Sequence, residues 1–352
     1  MIQISVPARI CFYGDHQDYL GLPVIAGAID RCIHISANPS NTNRFEIQLK
    51  DIGTHRTIDF NHPLENILEG DYFLSAISIL KKYGLKLKQG FSIEIQGNIP
   101  VNAGLSSSSA LTVAWIRFLL ASQEFNSKWD DKKVGHWAYE AEVLFFNQPG
   151  GLMDQYTISQ GGLIYIDTQN GESTKLNSNL GTLLVAESGL PKKTLDVLKN
   201  GRVYGQNAIK AVKDQYPDFD MQYATEEYYE TYKQVVPDEY LGHWYAAVHN
   251  YQITKRAKRE LLKENPNQPF LGELMNAHQM ILQNQIQNTP EPMIGMMDAA
   301  RKAGALGTKI IGSGGGGCMV ALVTNETKEN VIEAFLSQGA KDAYEVNLTT
   351  VR

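Results

Sequence analysis

Residues 98–111 read Asn-Ile-Pro-Val-Asn-Ala-Gly-Leu-Ser-Ser-Ser-Ser-Ala-Leu. Four consecutive serines follow a proline and a glycine, and they lead directly into the apolar run LTVAWIRFLLA. Gly104 allows a sharp backbone turn, and the unpaired N–H groups of the helix that begins there bind anions. Small hydroxyl side chains admit a phosphate and can coordinate Mg²⁺. Taken alone, the stretch is interpreted first as a serine-capped helix and second as a phosphate site.

A second glycine-rich run covers residues 304–322 and reads GALGTKIIGSGGGGCMVAL. Gly312, Gly314 and Gly317 match the dinucleotide pattern G-x-G-x-x-G, but the strand-like run CMVALV follows where that pattern needs a helix. The chain contains no G-x-x-x-x-G-K-[ST], which excludes a P-loop. We therefore predict a tight connection between two strands, with its bare backbone beside a ligand.

The N-terminal run IQISVPARICFYG has the composition of a strand and leads into Asp15, His16 and Asp18. Such a cluster is either a solvated turn or a site that hydrogen-bonds a polyol, because carboxylates accept bonds from paired hydroxyls. Further on, the helical pattern WAYEAEVLFF carries Glu142, and the break Pro-Gly-Gly at 149–151 precedes Asp154. This break predicts a carboxylate held rigidly in a cleft.

These four stretches together resemble the GHMP kinases, the family of galactokinase, homoserine kinase, mevalonate kinase and phosphomevalonate kinase. The resemblance runs from residue 5 to about residue 322, and the three family motifs stand in their expected order. Asp154 follows Glu142 by twelve residues, within the run Gly-Leu-Met-Asp-Gln, and this spacing resembles that of the galactokinase branch. Lys309 has the form usual in mevalonate kinases.

The chain also departs from the family pattern. Asn102 and Ala103 replace glycines that are common in the serine loop. Asp15 stands where galactokinases have a glutamate, which withdraws that carboxylate by one methylene. We therefore expect kinase chemistry, with a substrate preference that differs from plain galactose.

The resemblance implies an α+β, two-domain GHMP kinase fold. An N-terminal domain like ribosomal protein S5 domain 2 would cover residues 1–178, and a C-terminal ferredoxin-like α+β domain would cover residues 179–352. The boundary is expected between residues 170 and 189. ATP and substrate would meet in the cleft between the two domains.

The resemblance also implies a role for each matching residue. Asp154 would orient the substrate hydroxyl and accept its proton, and Arg9 would lie beside it, lower its pKa and stabilise transferred charge. Ser108 and Glu142 would hold Mg²⁺. The sugar would contact Asp15, His16, Asp18 and Asp154. ATP would contact Gly104, Leu105, Ser106, Ser107, Ser108, Ser109, Gly314 and Gly315.

The implied activity is ATP- and Mg²⁺-dependent phosphorylation of a hydroxyl, with the anomeric hydroxyl of a monosaccharide or sugar acid as the expected acceptor. Two alternatives stay open at this point. One is a mevalonate-type alcohol kinase, which would share the Lys309 form of the third motif. The other is a sugar- and ATP-binding sensor that no longer catalyses.

Composition limits the remaining possibilities. A formal net charge of −6 over 352 residues, without a block of Lys or Arg, argues against a nucleic-acid partner. Three cysteines form no metal-binding spacing and no even disulfide set, which suits a reducing cytoplasm. No signal pattern or membrane span is expected. We expect a cytoplasmic monomer or homodimer whose partners are ATP and a small sugar-like substrate.

Overall fold

The structure is a computed structural model that describes residues 1–100, 103–176, 180–191 and 194–350. It begins with two long antiparallel strands, β1 (Ile2–Tyr13) and β2 (Val24–Ser40). The second half of β1 is buried on both faces, which explains why VPARICFY is almost continuously apolar instead of alternating. Register shifts at Pro7/Ala8 and at Cys11/Tyr13 lie on either side of Arg9. Such irregularities change the direction of side chains.

Five further strands complete the first sheet: β3 (Arg44–Leu49), β4 (Thr54–Asp59), β5 (Gly90–Gly97), β6 (Leu163–Asp167) and β7 (Glu172–Leu176). The order is β4-β3-β5-β2-β6-β7, and β1 pairs with β2. Only the β3–β5 pair is parallel among the pairings of the described residues. One side of β2 is therefore shared by β6 at residues 24–27 and β5 at residues 33–40.

Four helices accompany this sheet: α1 (Tyr72–Lys82), α2 (Ser107–Ser122), α3 (Asp131–Tyr139) and α4 (Met153–Gln160). The apolar run after the serines forms α2, and its Trp115 and Phe118 pack against Phe45 of β3, with ring centroids 5.3 and 5.8 Å away. Each such buried aromatic side chain stabilises the fold by about 1.5–3 kcal/mol. This packing holds the N-terminus of α2 in place.

The second sheet contains β8 (Thr182–Glu187), β9 (Gly307–Ile310), β10 (Cys318–Val323) and β11 (Asp342–Val346). All its pairs are antiparallel, in the order β11-β8-β10-β9. Counted along the chain, this is the order 4-1-3-2 of a ferredoxin-like unit. The helices are α5 (Thr194–Gln215), α6 (Tyr228–Tyr232), α7 (Leu241–Leu261), α8 (Gln268–Ile281), α9 (Glu291–Lys302) and α10 (Lys328–Ser337).

The end of the described chain returns to the first sheet. Residues 28–30 of β2 lie between the parts that β6 and β5 cover. There Leu348 forms a bridge with Ile29, the Asn347 carbonyl accepts from the Asp30 N–H at 3.0 Å, and the Thr349 N–H donates to the Ala28 carbonyl at 2.9 Å. The two halves are thus joined by backbone hydrogen bonds as well as by side chains.

The predicted two-domain α+β fold is confirmed. The predicted boundary at residues 178/179 lies outside the described residues and stays a prediction. By composition the run CIHISANP at residues 32–39 predicts a strand, whereas β2 begins at Val24 and includes this run. Within the described residues, no helix is both long and apolar enough to cross a bilayer.

Candidate active site

A cleft of about 230 Å³ lies where β1, the start of α2, the start of α4 and the loop after β9 meet. It brings together nearly all side chains that were predicted for the site. Its lining consists of Arg9, Asp15, His16, Asp18, Tyr19, Tyr72, Ala103, Gly104, Ser106, Ser107, Ser108, Ser109, Glu142, Val143, Gln148, Pro149, Gly150, Gly151, Met153, Asp154, Gln155, Gly312 and Ser313.

Arg9 and Asp154 form a two-point ion pair in this cleft. Arg9 Nε donates to Asp154 Oδ1 at 2.7 Å, and Arg9 Nη2 donates to Oδ2 at 2.8 Å. Arg9 Nη1 donates to the carbonyl of Gly104 at 2.7 Å. Burial alone would lower the pKa of Arg9, but the carboxylate of Asp154 raises it above its ordinary value. The guanidinium therefore stays charged and connects the base of the cleft to the serine loop.

The serine loop turns at two residues with positive φ, Gly104 (φ 92°) and Ser106 (φ 61°, ψ 50°). A left-handed conformation costs a non-glycine residue roughly 1–2 kcal/mol. Ser106 stands at the N-cap of α2, but its side chain caps no backbone N–H. Its hydroxyl donates to Asp154 Oδ2 at 2.5 Å.

Glu142 lies on a π-helical segment (Glu140–Leu144) that follows α3, a distortion frequently found at functional sites. It is 7% exposed and accepts a bond from Gln155 Nε2 at 2.7 Å. Burial raises the pKa of Glu142, against hydrogen bonds from Gln155, Ser108 and Ser109 that lower it. No Lys or Arg within the described residues forms an ion pair with it. A buried carboxylate beside serine hydroxyls, without a cation, has the oxygen donors that Mg²⁺ requires.

Asp18 faces the cleft from the loop after β1. Burial, reinforced by the charge of Asp154, raises the pKa of Asp18 to about 7, although the N–H groups of Tyr19 and Met153 oppose this shift. Gly151 lies against this carboxyl group: a Cβ atom on Gly151 would be 2.2 Å from Asp18 Oδ2. Only glycine at position 151 therefore allows the observed position of Asp18.

His16 is held between the two halves of the molecule and has a left-handed backbone (φ 63°). Its Nε2 lies 3.0 Å from the carbonyl of Ser313, and its Nδ1 lies 2.7 Å from the hydroxyl of Tyr19. A Cβ atom on Gly201 of α5 would be 2.9 Å from Nδ1, so the helix packs tightly on this ring. Both ring nitrogens thus have protein partners, and because His16 also lines the cleft, its contact with a sugar stays a prediction.

Asp15, predicted to contact the sugar, forms a buried ion pair with Lys309 of β9. Lys309 Nζ donates to Asp15 Oδ2 at 2.7 Å, and the side chains of Lys309 and Asp15 are 0% and 1% exposed respectively. Burial would raise the pKa of Asp15, but Lys309 and its hydrogen bond bring it below the ordinary value. Asp15 Oδ1 accepts no hydrogen bond within the described residues. That oxygen is itself buried, so Asp15 serves first as the partner of Lys309, and its contact with a sugar stays a prediction.

Within the second glycine-rich run, residues 311–317 form the loop between β9 and β10. A Cβ atom on Gly314 would be 2.5 Å from the carbonyl oxygen of Asn288, and one on Gly317 would be 2.6 Å from that of Ala103. The glycines therefore allow backbone to pass close to backbone. The sequence interpretation gave them a ligand instead, because spacing alone does not distinguish the two uses of bare backbone.

Three of the residues predicted to contact ATP do not line the cleft in this structure. Leu105 is fully buried in the core, and Gly314 and Gly315 lie against Asn288. The neighbouring Gly312 and Ser313 line the cleft instead.

The cleft also contains residues that the sequence interpretation did not assign. Gln155, the partner of Glu142, follows Asp154 directly and could have been found from that motif. Tyr72 and Ser313 carried no signal. Lys309, which pairs with Asp15 outside the cleft lining, did carry one, since a lysine among apolar residues of a strand is rarely buried unless it is paired.

Comparison with known proteins identifies two family models in the chain. "GHMP kinases N terminal domain" matches residues 71–162, and "GHMP kinases C terminal" matches residues 259–341. Mevalonate kinase of Thermococcus onnurineus is 28% identical over 92% of this chain and 90% of its own length. Galactokinase of Clostridium perfringens is 27% identical over 96% of this chain and 89% of its own length.

Solved structures show the same fold. Lactococcus lactis galactokinase complexed with galactose superimposes with a TM-score of 0.88 at 21% identity, covering 99% of this chain and 94% of that chain. Methanococcus jannaschii mevalonate kinase gives a TM-score of 0.73 at 19% identity, covering 99% and 98%.

Proposed function

Because this chain carries both domains of the GHMP kinases and belongs to that family, whose enzymes phosphorylate hydroxyl groups, we propose that it transfers the γ-phosphate of ATP to a monosaccharide or sugar acid. The observation that carries this proposal is the junction at Asp154. There a carboxylate is fixed by Arg9 and Ser106 at 2.5–2.8 Å, beside the N-terminus of α2 and opposite Asp18.

Each residue of the junction has a task in phosphoryl transfer, which depends mainly on positioning and charge. The N–H groups at the start of α2, with Gly104, would receive the nucleotide phosphates. Asp154 would orient the acceptor hydroxyl and take its proton, and Arg9 would stabilise charge on the phosphoryl group. Ser108 and Glu142 would hold Mg²⁺, which supplies positive charge to the phosphate oxygens when it is bound.

The polar wall of the cleft supports a polyhydroxylated acceptor. Asp18 presents a carboxyl group that can exchange hydrogen bonds with two neighbouring hydroxyls, and Asp15 lies beside it in the cleft lining. We propose the anomeric hydroxyl as the phosphorylated group, on the galactokinase-like spacing of Glu142 and Asp154.

One cation next to the cleft residue Gln148 supports a sugar acid in particular. Arg202 of α5 donates to the carbonyl of Gln148 at 3.3 Å, and its charge reaches Tyr19 and Tyr139. Among the described residues no carboxylate lies within 4.0 Å of it. A carboxylate on the acceptor would supply the missing counter-charge.

We also place the enzyme in the cytoplasm, because its cysteines form no disulfide within the described chain.

The test of this function is ADP release over a panel of hexoses, pentoses, uronic acids and mevalonate. We expect release with at least one sugar or uronic acid, and we expect EDTA to abolish it. Mevalonate as the best acceptor would favour an alcohol kinase, which the mevalonate kinase relatives and the Lys309 form also fit. Nucleotide binding without turnover on any acceptor would contradict the kinase proposal.

Gly151→Ala is expected to raise the KM for the sugar by about tenfold or more, the cost of losing one hydrogen bond to a charged group. The new Cβ atom would be 2.2 Å from Asp18 Oδ2, so the carboxyl group must move. Gly150→Ala is the matched control, because its Cβ atom would make an ordinary 3.8 Å contact with Val143. Steady-state kinetics with the sugar varied would measure both. If the KM changed equally in the two variants, we would conclude that Asp18 does not contact the sugar.

A further inference from the structure

Ser106 has a backbone conformation that its residue type does not favour. Its φ of 61° lies in the left-handed region, where glycine is at no disadvantage. A serine at an N-cap usually compensates by accepting a bond from a backbone N–H of the first turn. Ser106 makes no such bond. The residue thus has neither the conformational freedom of glycine nor the usual advantage of a serine cap.

The hydroxyl of Ser106 points at Asp154 instead, 2.5 Å from Oδ2. That oxygen already accepts from Arg9 Nη2 at 2.8 Å, and Oδ1 accepts from Arg9 Nε at 2.7 Å. Arg9 reaches Asp154 from β1, and Ser106 reaches it from the start of α2. Two donors from different elements fix the carboxylate more closely than Arg9 alone. Strained residues of this kind gather at functional sites, where the surroundings enforce the conformation.

The same contact joins the serine loop to Asp154. The Ser106 carbonyl accepts the N–H of Ala110 at 2.9 Å, which anchors the residue in the first turn of α2. The Gly104 carbonyl accepts Arg9 Nη1 at 2.7 Å. The turn that opens the helix N-terminus therefore also directs the Ser106 hydroxyl toward the carboxylate.

We propose that Ser106 is a positioning residue for Asp154, and that its hydroxyl acts through that carboxylate instead of binding the nucleotide. The inference rests on the proposed kinase function, because it gives Asp154 the task of orienting the acceptor hydroxyl. A small misplacement of such a group lowers the rate strongly. The left-handed turn is what brings the hydroxyl to Asp154.

The decisive variants are Ser106→Ala and Ser106→Gly. We expect both to lower kcat by about tenfold to a hundredfold, with the dissociation constant for ATP changed less than about twofold. Ser106→Gly should at the same time raise the melting temperature relative to Ser106→Ala, because glycine relieves the left-handed strain. A Ser106→Gly variant that is more stable than Ser106→Ala but equally slow would assign the loss of activity to the missing hydroxyl and not to backbone strain.

Asn66→Gly is the matched control. Asn66 also has a left-handed backbone (φ 56°), but it is exposed in the loop before α1. This change should relieve strain of the same kind and leave kcat unaltered. A parallel loss of kcat in Asn66→Gly would mean that relief of strain, not the lost hydroxyl, lowers activity.

Two outcomes would overturn the inference. A dissociation constant for ATP that rises in proportion to the fall in kcat would make Ser106 a nucleotide ligand, and an unaltered kcat would leave the hydroxyl without a role. A double-mutant cycle of Ser106→Ala and Asp154→Ala, followed by melting temperature, needs no turnover: we expect non-additive shifts, and additive shifts would contradict the contact. Wild-type protein that is inactive on every acceptor would contradict the proposed function. Non-additive shifts in this cycle would still support the contact between Ser106 and Asp154.

Discussion

Asp154→Asn is expected to lower kcat by about 10²–10⁴-fold, the usual contribution of a positioned proton acceptor. The amide fits the same volume, but its NH₂ group cannot accept a bond. In either orientation it would place N–H against a donor, because Oδ1 accepts Arg9 Nε and Oδ2 accepts both Arg9 Nη2 and Ser106 Oγ. The variant therefore loses the proton acceptor and also disturbs the hydrogen bonds from Arg9 and Ser106 that position it.

This change also leaves the guanidinium of Arg9, which is 3% exposed, without its counter-charge. Kinetics should therefore be measured where circular dichroism shows the variant to be folded. Asp131→Asn is the matched control: it breaks a 2.6 Å ion pair with Arg117 on α2, outside the cleft, and should leave kcat unchanged. A kcat for folded Asp154→Asn above about a tenth of the wild-type value would contradict the role given to Asp154.

Lys309→Met is expected to lower the free energy of unfolding by about 3–5 kcal/mol, because it leaves a buried carboxylate without its partner. Asp15 and Lys309 are 1% and 0% exposed, and Lys309 Nζ also donates to the carbonyl of Ile310 at 2.6 Å. Urea denaturation would measure the loss. The double variant Lys309→Met with Asp15→Asn should recover most of it, since the remaining amide carries no charge.

Lys328→Met provides the comparison for this second result. Its ion pair with Glu345 is 2.9 Å long but partly exposed, at 29% and 40%. Exposed pairs of this kind contribute about 0–1 kcal/mol. Two results would contradict this explanation. One is an equal fall in the free energy of unfolding for Lys328→Met and Lys309→Met. The other is a double variant that is no more stable than Lys309→Met.

Local sequence was sufficient to predict the parts of the site that lie close together along the chain. The serine loop runs into α2 because an apolar helix follows it directly, and Glu142 and Asp154 face one cleft because a helix and a Pro-Gly-Gly break separate them by a fixed distance. In each case the determinant is short-range periodicity or turn chemistry.

Short-range periodicity and turn chemistry do not predict contacts between segments that are distant along the chain. Asp15 was assigned to the sugar because its residue type suits hydroxyls, yet its partner Lys309 lies 294 positions away. Gly314 and Gly315 were assigned to ATP, yet they lie beside Asn288. Composition indicates that a side chain or a bare backbone has a close neighbour, but only the tertiary fold decides which one.

The return of residues 347–349 to β2 has a consequence for how this protein is made. Asn347 bonds to Asp30, 317 positions earlier in the chain. During translation at about 5–20 residues per second, residues 28–30 leave the ribosome well before the segment that covers them. For that interval the nascent first sheet keeps open backbone groups between β6 and β5, which are a template for pairing with other chains. The contact of residues 347–349 therefore covers this part of the first sheet only after nearly the whole chain has been synthesised.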